Sequence, residues 1–439
     1  MKIERRNFIK LGLLQAAALG LTRKANAYQI PKILRRSGPS ILQGATDDTK
    51  TQFSIVHNNT EILDIYAVDS GGRRRIPDFT RTVAFRDHTK KITKVYFSFL
   101  DVNETYELHL VNAVTRELLD QREFQTLDLS KPDLSFALCS CMNDREHAPE
   151  IWQNMVQKKP DVLLFIGDSV YADSDSPLTG ADPAHLWNRF CEARHTLEIY
   201  YSRRLIPIFA TWDDHDFGLN DTNSVDFKFV KESQENFLNF FAQDTSHCHI
   251  LEKGPGIASA LKFSNQTILL LDDRSFRQRR GSKDRYAHWG KEQETWIFEK
   301  IWENPGTTWL MNGSQFFPNV PWKESVSGDH PDNFKGFLQE LKLIPRKVIF
   351  ASGDVHYSEI SKIEKEALGY ETFELTSSSI HSRNIPGSPD IIPNNRRIAG
   401  NGQRNYLLVK AAASNGGCTM DVTSFGVAGD ARFQISLQV

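Results

Sequence analysis

The chain has 439 residues, with 53 Lys or Arg against 55 Asp or Glu and a formal net charge of −2. A near-neutral chain with both signs interspersed has no global basic field to hold a polyphosphate backbone, so nucleic acid, sequence-specific or not, is excluded as the main partner and a small molecule is the expected one. Five cysteines (Cys139, Cys141, Cys191, Cys248, Cys418) are too few and too scattered for a disulfide framework, and an odd number leaves at least one thiol unpaired.

The N-terminus reads Glu4-Arg5-Arg6-Asn7-Phe8-Ile9-Lys10, then a weakly apolar run from Leu11 to Leu21, then Ala25-Asn26-Ala27. This matches a twin-arginine signal peptide, residues 1–27, with a small-residue cleavage site after Ala27. The expected destination is the periplasm or the exterior, with the twin-arginine translocation machinery as a transient partner. The run contains Gln15 and falls short of the roughly 20 apolar residues that span a bilayer, and no later segment reaches that length, so no stable membrane span is expected.

Residues 28–130 read as a polar linker followed by a small β-sandwich domain. Val95, Phe97 and Phe99 alternate with Lys94, Tyr96 and Ser98, and Tyr106, Leu108 and Leu110 alternate with Glu107 and His109. Asp69-Ser70-Gly71-Gly72 and Asp101-Val102-Asn103-Glu104 supply turns between such runs.

From 131 to 439 the pattern changes to short continuous apolar runs, the mark of strands buried on both faces, separated by segments with helical spacing such as Ala184 to Arg194 and Glu292 to Trp302. Five runs end in polar residues: Leu134 to Leu138, Val162 to Ile166, Leu205 to Ala210, Ile268 to Leu271 and Val348 to Ala351. In open α/β sheets functional groups gather beyond the carboxyl ends of strands, so these runs aim their trailing residues at one region. Trp322 to Phe337, rich in Gly, Asp, Pro and Lys, reads as a loop over that region, and Ala431 to Val439 reads as a strand.

Three trailing motifs carry chemistry. Gly167-Asp168-Ser169-Val170-Tyr171 turns tightly after a strand and projects a carboxylate, with a phenol able to return to the same point; alone it also fits a capping Asp and a core Tyr. Asp213-Asp214-His215-Asp216, followed by Asn220 and Asp221, sets three carboxylates beside one imidazole, an arrangement that repels itself unless a cation or partner charge sits within it. Gly353-Asp354-Val355-His356 repeats the strand-Gly-Asp plan and adds a second imidazole. Cys141 would add a soft anionic donor, although a lone cysteine is more often a small buried hydrophobe. Arg274, in Leu271-Asp272-Asp273-Arg274-Ser275-Phe276-Arg277, also fits an ordinary salt-bridge partner of Asp272.

Joined in order, Ser140-Cys141, Gly167 to Tyr171, Trp212 to Asp216 with Asn220, Leu271 to Arg277, Gly290 with Gln293 and Trp296, and Ser352 to His356 resemble the alkaline phosphatase D (PhoD-like) branch of the calcineurin-like metallophosphoesterases. The resemblance covers roughly Leu134 to Ser382. It implies an α/β fold, a four-layer α/β/β/α metallophosphoesterase sandwich preceded by a small N-terminal β-sandwich domain, holding Fe(III) and Ca(II), with Mn or Zn as substitutes. Carried over by position, Cys141, Asp168, Tyr171 and His356 would bind iron, with Asp168 bridging; Asp214 and Asp354 would bind calcium; Asn220 and Arg274 would face the phosphate; His215 and Arg274 would assist catalysis. Phenolate and thiolate suit a trivalent ion and an oxygen shell suits calcium.

The function implied is an exported phosphomonoesterase acting on a small phosphate ester with a metal-activated hydroxide. The alternatives are a phosphodiesterase or phospholipase D-like enzyme, or a secreted protein that binds calcium only to fold, which would have no use for Cys141, Tyr171 and His356. A serine hydrolase built on Ser352 lacks the Gly-x-Ser-x-Gly elbow. The chain departs from the family pattern with Asp216 where Glu is usual, Asp273 where Thr is common, a 322–337 segment without the usual aromatic and arginine pattern, and a strand where some relatives carry a capping helix. The last two leave substrate size and access open.

Overall fold

The computed structural model describes residues 38–439 apart from 147, 177, 264, 265, 319, 321, 322, 386 and 415, so the twin-arginine segment lies outside the described residues. The described chain is mixed α/β, with four sheets and few helices.

The N-terminal strands form two four-stranded antiparallel sheets. One runs in the order Ser40–Thr46, Thr51–Asn58, Lys90–Phe97, Phe79–Ala84, and the other Arg74–Arg75, Leu63–Val68, Thr105–Asn112, Leu118–Gln125. Phe53, Ile55, Val95 and Phe97 of the first share one apolar cluster with Ile65, Tyr106, Leu108 and Phe124 of the second. The alternation expected around Val95 is only half obeyed: Lys94 and Tyr96 are buried as well. The reason is that the opposite face of this sheet is also covered, since Leu42, Val56 and Ile92 join the cluster that contains the helices Pro183–Thr196 and Val230–Phe240. Phe99, expected to point inward, lies beyond the end of its strand with φ +58° and is 84 % exposed. Arg194 closes the seam, donating to the carbonyls of Ser40 at 3.1 Å, Ser54 at 2.6 Å and Phe240 at 3.0 Å.

Two larger sheets follow. In the six-stranded sheet Ile208–Thr211, Val162–Ile166 and Asp133–Cys139 are parallel, and Asn405–Ser414, Gly417–Gly426 and Ala431–Gln438 extend it antiparallel. The eight-stranded sheet has a parallel centre, Gln266–Leu270, Thr307–Met311, Val348–Ser352 and Thr372–Thr376, flanked by antiparallel strands. The period of two divides their side chains. Phe136, Leu138, Leu164 and Ile166 meet Ile268, Leu270, Trp309 and Ile349 in one cluster. The alternate residues Ala137, Cys139, Leu163 and Phe165 face the helices Pro149–Gln157, Pro183–Thr196 and Val230–Phe240, while Leu269, Leu310 and Phe350 face Gly290–Glu303 and Pro331–Leu341. Each such buried aliphatic or aromatic side chain contributes about 1.5–3 kcal/mol.

Two sequence expectations need correction. The strand expected from Leu205 begins at Ile208, because Pro207 has no N–H to give to a ladder; its carbonyl still accepts from Leu163 at 2.8 Å. The expected loop at 322–337 is helical over Val326–Asp329 and Pro331–Leu341 (Trp322 itself lies outside the described residues). Ser325 caps the first helix through the Gly328 amide at 3.0 Å, Pro331 opens the second, and Phe334, Phe337 and Leu341 fall on its buried face. Among the described residues no helix is long and apolar enough to cross a membrane.

Candidate metal centre

The strands Asp133–Cys139, Val162–Ile166 and Ile208–Thr211 of the six-stranded sheet and Val348–Ser352 of the eight-stranded sheet all deliver their next residues to one region. Gly167 makes the first turn possible: at φ +100° it accepts a conformation other residues resist, and a Cβ there would lie 2.7 Å from the Asp213 Cβ. The residues that follow are less comfortable. Cys141 (φ +55°), Asp168 (+53°), Asp354 (+68°) and His356 (+63°) all stand in the left-handed region. That costs a non-glycine residue up to roughly 1–2 kcal/mol, less for Asp and His than for Cys. Backbone outliers of this kind concentrate where a side chain has to be aimed.

The aim is mutual. The Cys141 thiol donates to Asp168 Oδ2 at 3.4 Å, the Tyr171 hydroxyl donates to the same oxygen at 3.4 Å, and that hydroxyl lies 3.3 Å from His356 Nε2. Asp168 Oδ1 is buried with no hydrogen-bond partner. Three sets of potential ligand atoms, each set within 4.8 Å of one another, run through the site: Cys141, Asp168 and His356; Asp168, Asp214 and His215; Asp214, Asp221 and Glu324. Asp168 and Asp214 link the sets. Asp354, expected among the ligands, belongs to none of them; it is half-buried near enough to Asp214 and Lys323 to feel both charges.

Burial raises the Cys141 thiol and the Tyr171 phenol well above their ordinary ranges, and the charge of Asp168 adds to both. Asp168 is itself pushed up by burial and then by Asp214, Asp216 and Asp354, against the pull of His215. Burial drags His356 down to about 4. His215 moves the other way: burial lowers it, but Asp214, Asp168 and Asp173 outweigh that and hold it at about 10. Burial first, and neighbouring negative charge second, thus push Cys141, Asp168 and Tyr171 toward their protonated forms, a bias that a bound cation opposes. Thiol, phenol, imidazole and carboxylate around an oxygen without a donor fit a metal ion.

The remaining expected residues are placed as follows. His215 is half-buried, its Nδ1 2.6 Å from Asp173 Oδ1 and its ring 4.1 Å from that of Tyr171. Asn220 is exposed at the rim, and its backbone N–H donates to Asp173 Oδ2 at 2.9 Å. Arg274 departs from the picture of a phosphate-facing side chain: it is fully buried, donating from Nε to Asp213 at 2.7 Å, from Nη1 to the Thr222 carbonyl at 2.9 Å, and from Nη2 to Asp213 and to Glu324 at 2.9 Å. Its anticipated side-chain pairing with Asp272 is replaced by this Asp213 pair. The Asp272 carboxylate serves the turn itself, accepting from Trp212 Nε1 at 2.7 Å and from the Ile257 amide at 2.9 Å. Gln293 reads the Asp272 backbone from both sides, at 2.8 and 2.9 Å, so Gly290, Gln293 and Trp296 belong to the scaffold.

Four contributors were missed in the sequence. Asp173 holds His215. Ser378 lies 3.1 Å from the Cys141 sulfur and accepts from the His356 amide at 2.8 Å. Lys323 donates to the Val355 carbonyl at 3.2 Å, and Glu324 joins Arg274 to the Asp214 set. Only Asp173, five residues after Asp168 in the same turn, carried a local signal.

No family model matches the chain. The chain is similar to alkaline phosphatase D of Bacillus subtilis (strain 168), 22 % identical over 300 residues that make up 58 % of this chain and 50 % of that protein. It thus spans about half the length of this curated relative, and the likeness supports a distant relationship to alkaline phosphatase D.

Proposed function

We propose that the chain is a metal-dependent phosphate-ester hydrolase of the alkaline phosphatase D type, acting as a phosphomonoesterase. The observation that carries the reading is the convergence of the Cys141 thiol and the Tyr171 phenol on one carboxylate, Asp168, whose other oxygen has no hydrogen-bond partner. Cys141, Asp168, Tyr171 and His356 suit Fe(III), and Asp168, Asp214 and Asp354 suit Ca(II), with Mn or Zn as substitutes. When bound, such cations supply Lewis acidity, lowering the pKa of water and offsetting charge on a phosphoryl group.

The chain's own residues do the rest. Asp173 accepts a hydrogen bond from His215 Nδ1 and so leaves Nε2 as the ring nitrogen that orients phosphate or passes a proton to a leaving alkoxide. Asn220, exposed at the rim, meets the ester as it arrives. Arg274 works through Asp213 and Glu324 as a positioning residue for the Asp214 turn.

The proposal extends to architecture and address: a signal peptide over 1–27, a linker and β-sandwich over 28–130, and a four-layer α/β/β/α catalytic domain over 131–439, exported by the twin-arginine route to the periplasm or beyond. The two sheet-to-sheet apolar clusters and the helix-facing ones support that layering.

The test is metal analysis and a visible spectrum of the purified protein, followed by assay on p-nitrophenyl phosphate and bis(p-nitrophenyl) phosphate. A tyrosinate or thiolate charge-transfer band with monoester turnover is expected. Preference for the diester would move the assignment to a phosphodiesterase, and stoichiometric zinc without the band would replace iron. Bound calcium with neither ester hydrolysed would leave a calcium-binding protein.

A further inference from the structure

On the seam between the N-terminal sheets and the α/β part, positive charges face one another. Arg81 and Lys94 are direct cross-strand partners in the strands Phe79–Ala84 and Lys90–Phe97, an arrangement that is unfavourable for like charges. Lys94 is 3 % exposed, and its ammonium donates to the carbonyls of Leu238 and Phe241, the latter at 3.2 Å. Those carbonyls lie at the C-terminal end of the helix Val230–Phe240, where a cation is favoured, but neither brings a counter-charge. Burial draws the Lys94 ammonium down to about 8; Arg81 adds to the effect, and the Asp244 carboxylate opposes it only in part. A third cation, Lys253, approaches from the eight-stranded sheet, and its cross-strand partner is Ser259.

Arg81, Lys94, Lys253 and Ser259 line one cavity of about 190 Å³. Ser259 is 4 % exposed, and its Oγ is buried without a hydrogen-bond partner. Asp244 is the carboxylate in the same wall, and its oxygens already accept from the Ser246 amide and hydroxyl, at 3.2 and 2.8 Å, and from the Tyr96 hydroxyl at 3.4 Å. Three cations against one engaged carboxylate, together with a hydroxyl that lacks an acceptor, call for the same missing component: an acceptor-rich anion.

We propose that this cavity is a second, non-catalytic binding site, taking a small tetrahedral oxyanion of the phosphate class between Arg81, Lys94, Lys253 and Ser259. The cavity shares no lining residue with the metal centre, so the site stands whether or not the hydrolase reading does. Its occupant bridges the N-terminal sheet and the eight-stranded sheet and ties the two parts together.

The experiment is calorimetric titration of the full chain with inorganic phosphate at fixed ionic strength. Wild type is compared with Arg81→Ala/Lys253→Ala, in which both altered side chains are exposed, and with Ser259→Ala. The double variant is expected to lose one class of phosphate binding by roughly tenfold or more, with Ser259→Ala weakening the same class, while turnover of p-nitrophenyl phosphate stays at the wild-type level. Identical titrations for wild type and the double variant would overturn the proposal. So would phosphate binding that disappears only with Asp214→Asn.

Discussion

The Tyr171 hydroxyl and His356 Nε2 meet at 3.3 Å across 185 positions of sequence. Nothing local brings them together; each is carried there by a turn after a different strand, in a different sheet. Removing one donor while keeping its volume therefore separates chemistry from packing. Tyr171→Phe and Cys141→Ser should each fold, lose the visible band, and lower both bound metal and kcat by about 100-fold or more. Metal analysis against a melting curve checks this; full metal content and wild-type turnover in both variants would remove them from the site.

Asp173 offers a sharper test of His215. The carboxylate accepts the Asn220 amide as well as facing the imidazole, so Asp173→Asn keeps an acceptor for the former and loses the charge that holds the latter. A fall in kcat of roughly 10–100-fold with KM nearly unchanged is expected, restored in part by Asp173→Glu. An equal loss from Asp173→Asn and Asp173→Ala in thermal stability, with kcat intact, would make the residue purely structural.

Arg274 should behave as a buried ion-pair member. It is 0 % exposed beside Asp213 at 1 %, so Arg274→Met strands the Asp213 carboxylate in the interior and takes one of its two arginine partners from the half-buried Glu324. Destabilisation of about 3–5 kcal/mol is expected in urea unfolding. Were its guanidinium a phosphate ligand instead, KM would climb while the unfolding midpoint stayed in place.

The seam titrates too. His195 sits with Nδ1 2.7 Å from the Tyr201 hydroxyl, and burial, aided by the positive charges of Lys90 and Arg194, lowers it from 6.5 to about 4. Because the folded value lies below the unfolded one, the unfolded chain binds more protons between these values. Its contribution to stability is present above pH 6.5 and fades as pH falls toward 4. The slope from this one group is at most about 1.4 kcal/mol per pH unit. In His195→Gln, urea midpoints measured from pH 7 to 4 should fall less steeply than in wild type; parallel curves would show that His195 does not titrate in that window.

The strand ends were legible because period and punctuation agree there: a buried run, a Gly, an Asp. Val162 to Ile166 was read to the residue, and Gly167-Asp168 follows it as expected. What escaped was long-range. Asp173 looks like a turn residue until His215, 42 positions on, supplies its partner. Lys94 and Tyr96 read as solvent-facing because an alternating pattern cannot say that a second body covers the other face. The helix Pro331–Leu341 was hidden by its composition, and Gly336 has a spatial reason: a Cβ there would stand 2.7 Å from Arg285 Nε. Ser325 and Pro331 were the available start signals, outweighed by the surrounding Gly and Asp.

At Cys141, Asp168, Asp354 and His356 the backbone prefers the one residue that has no side chain to offer. Durability and reactivity therefore ask for opposite substitutions at the same four positions. A library screened for heat resistance alone would enrich glycine there, and its hardiest members would be the ones that had discarded their donor atoms.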